Sequence, residues 1–421
     1  MNVLLKSAKI CCPEDKNLHQ KKRDILIKNG LIEKIAAKIV APKNVKEIKL
    51  NNLHVSKGWF DTSVSFGEPG YEERETIANG LDVAGKSGFT DVLLNANTNP
   101  LPNTGSEIVF LKERGTNSAT KLHPYGALSV LCKSEALAEL FDMQKSGAVA
   151  FYDYNVPVHN GNLLKIALQY VQNFDGLVCS FPEDMSIKGK GMVNEGEVAT
   201  KLGLKGSPAL AEELQIARDL FILEYTGGKL HIPTVSSSGS VKLIADAKKK
   251  GLDVTASVTL YNICLTDAAL ESFDTSFKVR PPLRTKKDTT ALLRGLRNGT
   301  IDFVTTDHRP MDIEEKRVEF DNAAYGSIGL ETAFGALHQL TTDLDETIDY
   351  LTKGRKRFGI DNPIIKEGLP ANLTLFDPDV SYSFEPAHIL SRSKNTIFMG
   401  HQMKGTVYGI INDGKLNLNV Q

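Results

Sequence analysis

The sequence predicts an α/β fold, a (β/α)8 TIM barrel carrying a small β-sandwich domain assembled from both chain ends. Three observations predict it. The middle of the chain alternates short apolar runs with helical patterns, as parallel βα units do. Both ends read instead as short strands separated by tight turns. No glycine-rich phosphate turn follows the first apolar run of the middle, so the rival architecture, an open doubly wound sheet, lacks its signature.

In chain order, residues 3–10, 24–28, 31–35 and 45–55 read as the first strands. Asn29-Gly30 between two apolar runs is a strong hairpin signal. The runs 371–376, 406–411 and 415–418 repeat this pattern, the last two separated by Asn412-Asp413-Gly414. Neither terminal piece has enough apolar surface to fold alone. Residues 1–55 and 366–421 are therefore expected to pair as one domain, with 56–365 inserted as the barrel. Eight candidate barrel strands lie at 59–66, 90–95, 125–130, 148–152, 177–181, 229–235, 253–260 and 301–306. Between them, Ser207 reads as an N-cap with Pro208 at the first position of a helix over 212–225 that closes at Gly227-Gly228. A second helix, 288–297, closes at Gly299. Functional residues of such a barrel belong at the carboxyl ends of its strands.

With 50 Lys+Arg against 51 Asp+Glu, the formal net charge of the 421 residues is −1, which provides no field to recruit nucleic acid or an anionic membrane. The five cysteines are scattered and free of C-x-x-C spacing, which argues against a disulfide framework or a thiolate zinc site and fits a reducing cytoplasm. The amino terminus lacks the apolar run of a signal peptide, and no window reaches the length of a membrane span.

The first barrel strand ends in Ser63-Val64-Ser65-Phe66-Gly67-Glu68-Pro69-Gly70, and the second in Asn95-Ala96-Asn97-Thr98-Asn99-Pro100. Further along come Thr226-Gly227-Gly228-Lys229-Leu230-His231, Pro281-Pro282-Leu283-Arg284, Thr306-Asp307-His308-Arg309-Pro310 and Gly329-Leu330-Glu331-Thr332. In these segments and their order the chain resembles a type I dihydroorotase of the amidohydrolase superfamily, nearly end to end. That resemblance implies a metal-dependent hydrolase barrel in which two metal ions generate hydroxide and polarise a cyclic amide. It also shows what has been exchanged. Ser63 and Ser65 stand at the His-x-His pair, and Phe181 and Thr234 stand at the histidines ending strands five and six. Asp153 remains at the strand-four position with Tyr154 beside it, and Asp307 remains at the strand-eight aspartate, the family's acid/base. Of the substrate contacts Asn97 survives, while Gly67, Arg280 and Met311 replace an arginine, an asparagine and a histidine.

Imidazole is a good zinc ligand and a serine hydroxyl is a poor one. Two carboxylates, Asp153 and Asp307, do not make a firm cage, so no cofactor is expected. His231 falls three residues before the strand-six position and reads as a core histidine; His308, beside Asp307, points to the opposite face. The expectation is a dihydroorotase-like protein of de novo pyrimidine biosynthesis that lacks metal-dependent catalysis and acts as a structural or regulatory partner of aspartate carbamoyltransferase. Homodimerisation is a family expectation. The alternative is an active cyclic-amide hydrolase, interconverting dihydroorotate and N-carbamoyl-aspartate through zinc held at an atypical site. A third reading is a binding module that keeps a small carboxylate through Asn97 and Arg280.

Overall fold

A computed structural model describes residues 1–419. The barrel strands are β1 (Trp59–Val64), β2 (Phe89–Leu94), β3 (Lys121–Pro124), β4 (Phe151–Tyr152), β5 (Val178–Cys179), β6 (Leu230–Ile232), β7 (Val254–Thr259) and β8 (Phe303–Thr305). Every pairing among them is parallel. The ring has two seams that single bridges complete, Gly126 with Phe151 between β3 and β4, and Val64 with His308 between β1 and β8. Phe60, Tyr125, Tyr152, Phe303 and Phe358 fill the interior, so the barrel is a packed core.

The apolar run at 125–130 was a poor guide to β3. That strand lies ahead of it, and the run instead crosses towards β4, with Tyr125, Ala127 and Leu128 turned into the core. Burial without period-2 alternation marks core, not strand. The helix expected after Pro208 spans Ala209–Thr226 with Pro208 itself at the N-cap position. Ser207 is withheld from capping because it pairs with Asn194 in a short parallel bridge, and its carbonyl accepts from Arg284 Nη1 at 2.7 Å.

Strands from both chain ends join one sheet. His54–Lys57 is its pivot, running parallel to Asn2–Cys11 on one side and antiparallel to Leu373–Ser383 on the other. In the hairpin at Asn29-Gly30 both turn residues have positive φ, 50° and 80°, as a type I′ turn demands. The Asp413-Gly414 turn does the same, at 51° and 69°. These two turns meet: a Cβ on Gly30 would lie 3.2 Å from Gly414 Cα.

The sheet docks on the barrel through rings. Trp59 sits 4.9 Å from Phe334 and 5.6 Å from Phe376, centroid to centroid, joining β1, a barrel helix (Ala333–Thr341) and the carboxyl-terminal sheet strand. At the amino end of the strands, buried Arg355 donates to Asp91 at 2.7 Å and to the Gly58 and Trp59 carbonyls. Burial opposes ionisation of Asp91, but the His123 ring and the Arg355 guanidinium overcome it and hold the carboxyl well below the usual carboxylate range. Among the described residues no helix is long and apolar enough to cross a membrane.

Two outcomes follow from these buried groups. Arg355→Met should destabilise the protein by about 3–5 kcal/mol in chemical denaturation, because it strands the Asp91 charge. His231, stacked 5.1 Å from Phe303, is pushed by burial well below the ordinary histidine range. The unfolded chain binds a proton at that ring below about pH 6.5 and the folded one does not. Stability should therefore fall as pH drops through that value, and His231→Gln should flatten that slope in a pH series of melting temperatures.

Candidate functional site

The barrel mouth is built around Asp307, which follows β8 in a left-handed conformation, φ 47°. Its carboxylate is buried and fully engaged. Ser63 Oγ donates to Oδ1 at 2.7 Å, Tyr154 Oη donates to Oδ1 at 3.0 Å, and Tyr261 Oη lies 3.1 Å from Oδ2. Burial pushes the Asp307 carboxyl up from its ordinary range, against the pull of the Ser63 hydroxyl, the Arg309 guanidinium and the two tyrosines. Both phenols are pushed up in turn, by burial first and then by the neighbouring Asp307 charge. They remain neutral donors.

A polar chain continues from this carboxylate across β1 and β2. Asn95 Nδ2 donates to Ser63 Oγ and Ser65 Oγ, both at 3.1 Å, and Asn97 Nδ2 donates to Ser65 Oγ at 3.0 Å. Ser65 is thus held by two amides. Thr234, which follows β6 at φ 55°, has a buried hydroxyl, and neither its Oγ1 nor Asn97 Oδ1 has a protein hydrogen-bond partner. Phe181 lies beneath the Arg280 guanidinium at 4.9 Å, and that guanidinium is ion-paired with Glu183.

Asp153 does not join this group. Its carboxylate accepts from the backbone amides of Leu128 and Ser129, at 2.8 and 3.0 Å, and from the Ser129 hydroxyl. The strand ends at Tyr152, and in the turn that follows Tyr154 reaches Asp307 while Asp153 binds the loop after β3. The two retained carboxylates, Asp153 and Asp307, therefore share no hydrogen-bond donor. Arg280 likewise departs from the expectation of a free substrate contact, since Glu183 already engages it. His308 is a framework residue: its Nδ1 accepts from the Gly329 amide at 3.1 Å, and burial pushes its pKa down to about 4.

A zinc ion takes imidazole, thiolate or carboxylate donors. The hydrogen-bonded group at Asp307 comprises the Ser63 and Ser65 hydroxyls, the Tyr154 and Tyr261 phenols and the Asn95 and Asn97 amides, with the Arg309 guanidinium nearby. Among the described residues no group of three or more His, Cys, Asp or Glu side chains is placed to hold a metal ion. The donor set does not fit zinc.

The family model for dihydro-orotase-like proteins matches residues 54–240. A dihydroorotase of Pelotomaculum thermopropionicum is 39% identical over 422 residues, covering 99% of this chain and 98% of the relative. The chain belongs to the dihydroorotase family. A dihydroorotase of Syntrophus aciditrophicus is 36% identical, covering 99% of each chain. In three dimensions the chain is similar to L-hydantoinase (dihydropyrimidinase) from Arthrobacter aurescens, with a TM-score of 0.84 at 21% identity over 99% of this chain and 95% of that one. D-hydantoinase from Thermus sp. gives the same TM-score at 20% identity, with the same coverage. These likenesses are of fold. Within the dihydroorotase family frame, Tyr154 and Tyr261 are the mouth residues that sequence reasoning missed. Only the fold brings Tyr154, in the turn after β4, and Tyr261, beyond β7, to Asp307.

Tyr154→Phe and Tyr261→Phe should each cost about 1–3 kcal/mol, the penalty for depriving a buried acceptor of its donor. Because both phenols serve one carboxylate, the double variant should depart from additivity in equilibrium denaturation.

Proposed function

We propose that this member of the dihydroorotase family serves de novo pyrimidine biosynthesis without metal-dependent ring opening, as a structural or regulatory partner of aspartate carbamoyltransferase. The observation that carries the proposal is the Asp307 carboxylate, engaged by three hydroxyls where a hydrolase would present it to a metal. Opening a cyclic amide at neutral pH needs a nucleophile. Water reaches that reactivity when bound zinc lowers its pKa from 15.7 to about 7. The donors at this mouth offer no comparable activation: the phenols are driven away from ionisation, and His308 is bonded into the framework.

The names of the relatives support the pathway, and the intact scaffold around an altered mouth supports a role carried by shape. The partner reading rests on the family resemblance. Purified protein should carry far less than one metal ion per chain by mass spectrometry and should not interconvert dihydroorotate and N-carbamoyl-aspartate. Stoichiometric metal together with turnover would overturn the non-catalytic half. The chain should co-elute with the aspartate carbamoyltransferase of its own organism. Separate elution, with normal transferase assembly in its absence, would overturn the partner half.

A further inference from the structure

Among the described residues four lysines and arginines are buried, and they divide into two kinds. Arg284 and Arg355 face carboxylates, Glu212 at 3.9 Å and Asp91 at 2.7 Å. Lys278 and Lys316 have no carboxylate within ion-pair distance. Their ammonium groups donate to backbone carbonyls only, Lys278 to Phe320 and Asp321 at 2.7 and 2.9 Å, Lys316 to Ala324 and Gly326 at 2.9 and 3.2 Å. Carbonyls solvate a cation without neutralising it, whereas buried charge is normally met by its opposite. Burial and the Lys278 and Arg309 charges push the Lys316 pKa down to about 7, against the pull of Asp274 and Glu315.

Lys316 borders a cavity of about 540 Å³ walled by three segments, 274–276 beyond β7, 311–317 beyond β8 and 392–395 near the carboxyl terminus. That volume lies within the roughly 300–1,000 Å³ of small-molecule sites. The walls are pinned to one another. Thr275 Oγ1 donates to the Lys316 carbonyl at 2.6 Å, Asn395 Oδ1 accepts from the Met311 amide at 3.0 Å, and Asn395 Nδ2 donates to the Arg309 carbonyl at 3.0 Å. Three further cations line the cavity, Arg317, Arg392 and Lys394, all exposed. Lys394 donates to two more carbonyls, and among the described residues the Arg317 and Arg392 guanidiniums have neither an ion pair nor a hydrogen bond. The carboxylates along the same walls are occupied: Glu73 faces Arg74 at 3.9 Å, and Asp274 and Asp312 accept from the Ser276 and Glu314 amides, each at 2.8 Å.

We propose that this cavity binds a small organic diphosphate, with Arg317 and Arg392 on its phosphoryl oxygens and Lys316 supplying charge from the cavity wall. A guanidinium meets a phosphate through two parallel N–H donors, and two free guanidiniums beside unneutralised ammonium groups suit two phosphoryl groups better than one. Met311 and Ile313 give the organic part of the ligand an apolar wall. An anion seated there neutralises cations that the chain itself leaves without a counter-charge.

Isothermal titration of the full, chelator-treated chain tests this, with pyrophosphate, ADP and inorganic phosphate as probes. Pyrophosphate should bind once per chain with a Kd below about 1 mM, and inorganic phosphate at least tenfold more weakly. ADP should bind at least as tightly as pyrophosphate, its body resting on Met311 and Ile313. Arg317→Gln and Arg392→Gln should each weaken pyrophosphate at least tenfold with the melting temperature unchanged, because both positions are exposed, whereas Lys43→Gln, outside the cavity, should bind like wild type. The anion draws a proton onto Lys316, so near neutral pH the wild type should take up more protons on binding than Lys316→Met, read from the dependence of the enthalpy on the buffer's heat of ionisation. No saturable pyrophosphate binding, or arginine variants that bind like wild type, would overturn the proposal. Inorganic phosphate binding as tightly as pyrophosphate would overturn it in favour of an adventitious ion only, ADP binding more weakly than pyrophosphate would overturn the organic body, and equal proton uptake in Lys316→Met would remove Lys316 from the site. The titration contains neither metal nor transferase, so its outcome is independent of whether the chain opens rings or joins aspartate carbamoyltransferase.

Discussion

A carboxylate shut inside a barrel mouth must be satisfied, and at Asp307 the satisfaction comes entirely from neutral hydroxyls. Ser63 reaches it from the end of β1, Tyr154 from beyond β4, and Tyr261 from beyond β7. Three strands on different sides of the ring are thereby drawn to one point beside the fourth. Ser63 stands where the family resemblance implies a histidine, so the residue that takes the place of an imidazole supplies one of the three bonds to Asp307.

Polar bonding of this kind recurs at other places where elements meet. Arg355 and Asp91 tie the amino ends of β1 and β2, and Glu212 fixes the loop after β6 to its own helix. An inward charge that is paired or hydrogen-bonded can be kept, whereas an unpaired one costs several kcal/mol. Apolar packing does the complementary work on the outside of the ring. The Trp59, Phe334 and Phe376 cluster couples the terminal sheet to the barrel, and its edge-to-face and tilted contacts add direction to area burial.

Much of the architecture was legible in the chain. Asn29-Gly30 and Asp413-Gly414 announce hairpins because only a few residue types tolerate two successive positive φ values, and alternating apolar runs announce parallel βα units. The segments ending at Ser63, Ser65 and Asp307 were singled out in the sequence, and they meet in space through the Ser63 bond to Asp307 and the amides that hold Ser65. Illegible from sequence were the exact extent of β3, where burial imitates strand pattern, and the diversion of Ser207 from capping into a bridge with Asn194.

The sequence by itself determined which donor types stand at the mouth, because a hydroxyl or a phenyl ring cannot become an imidazole however it is placed. Only the tertiary structure decided how they are used. Whether Asp153 or its neighbour Tyr154 enters the mouth depends on the direction of the backbone as it leaves β4. The meeting of Ser63, Tyr154 and Tyr261 on one carboxylate depends on closure of the ring, which brings together residues as far as 244 positions apart.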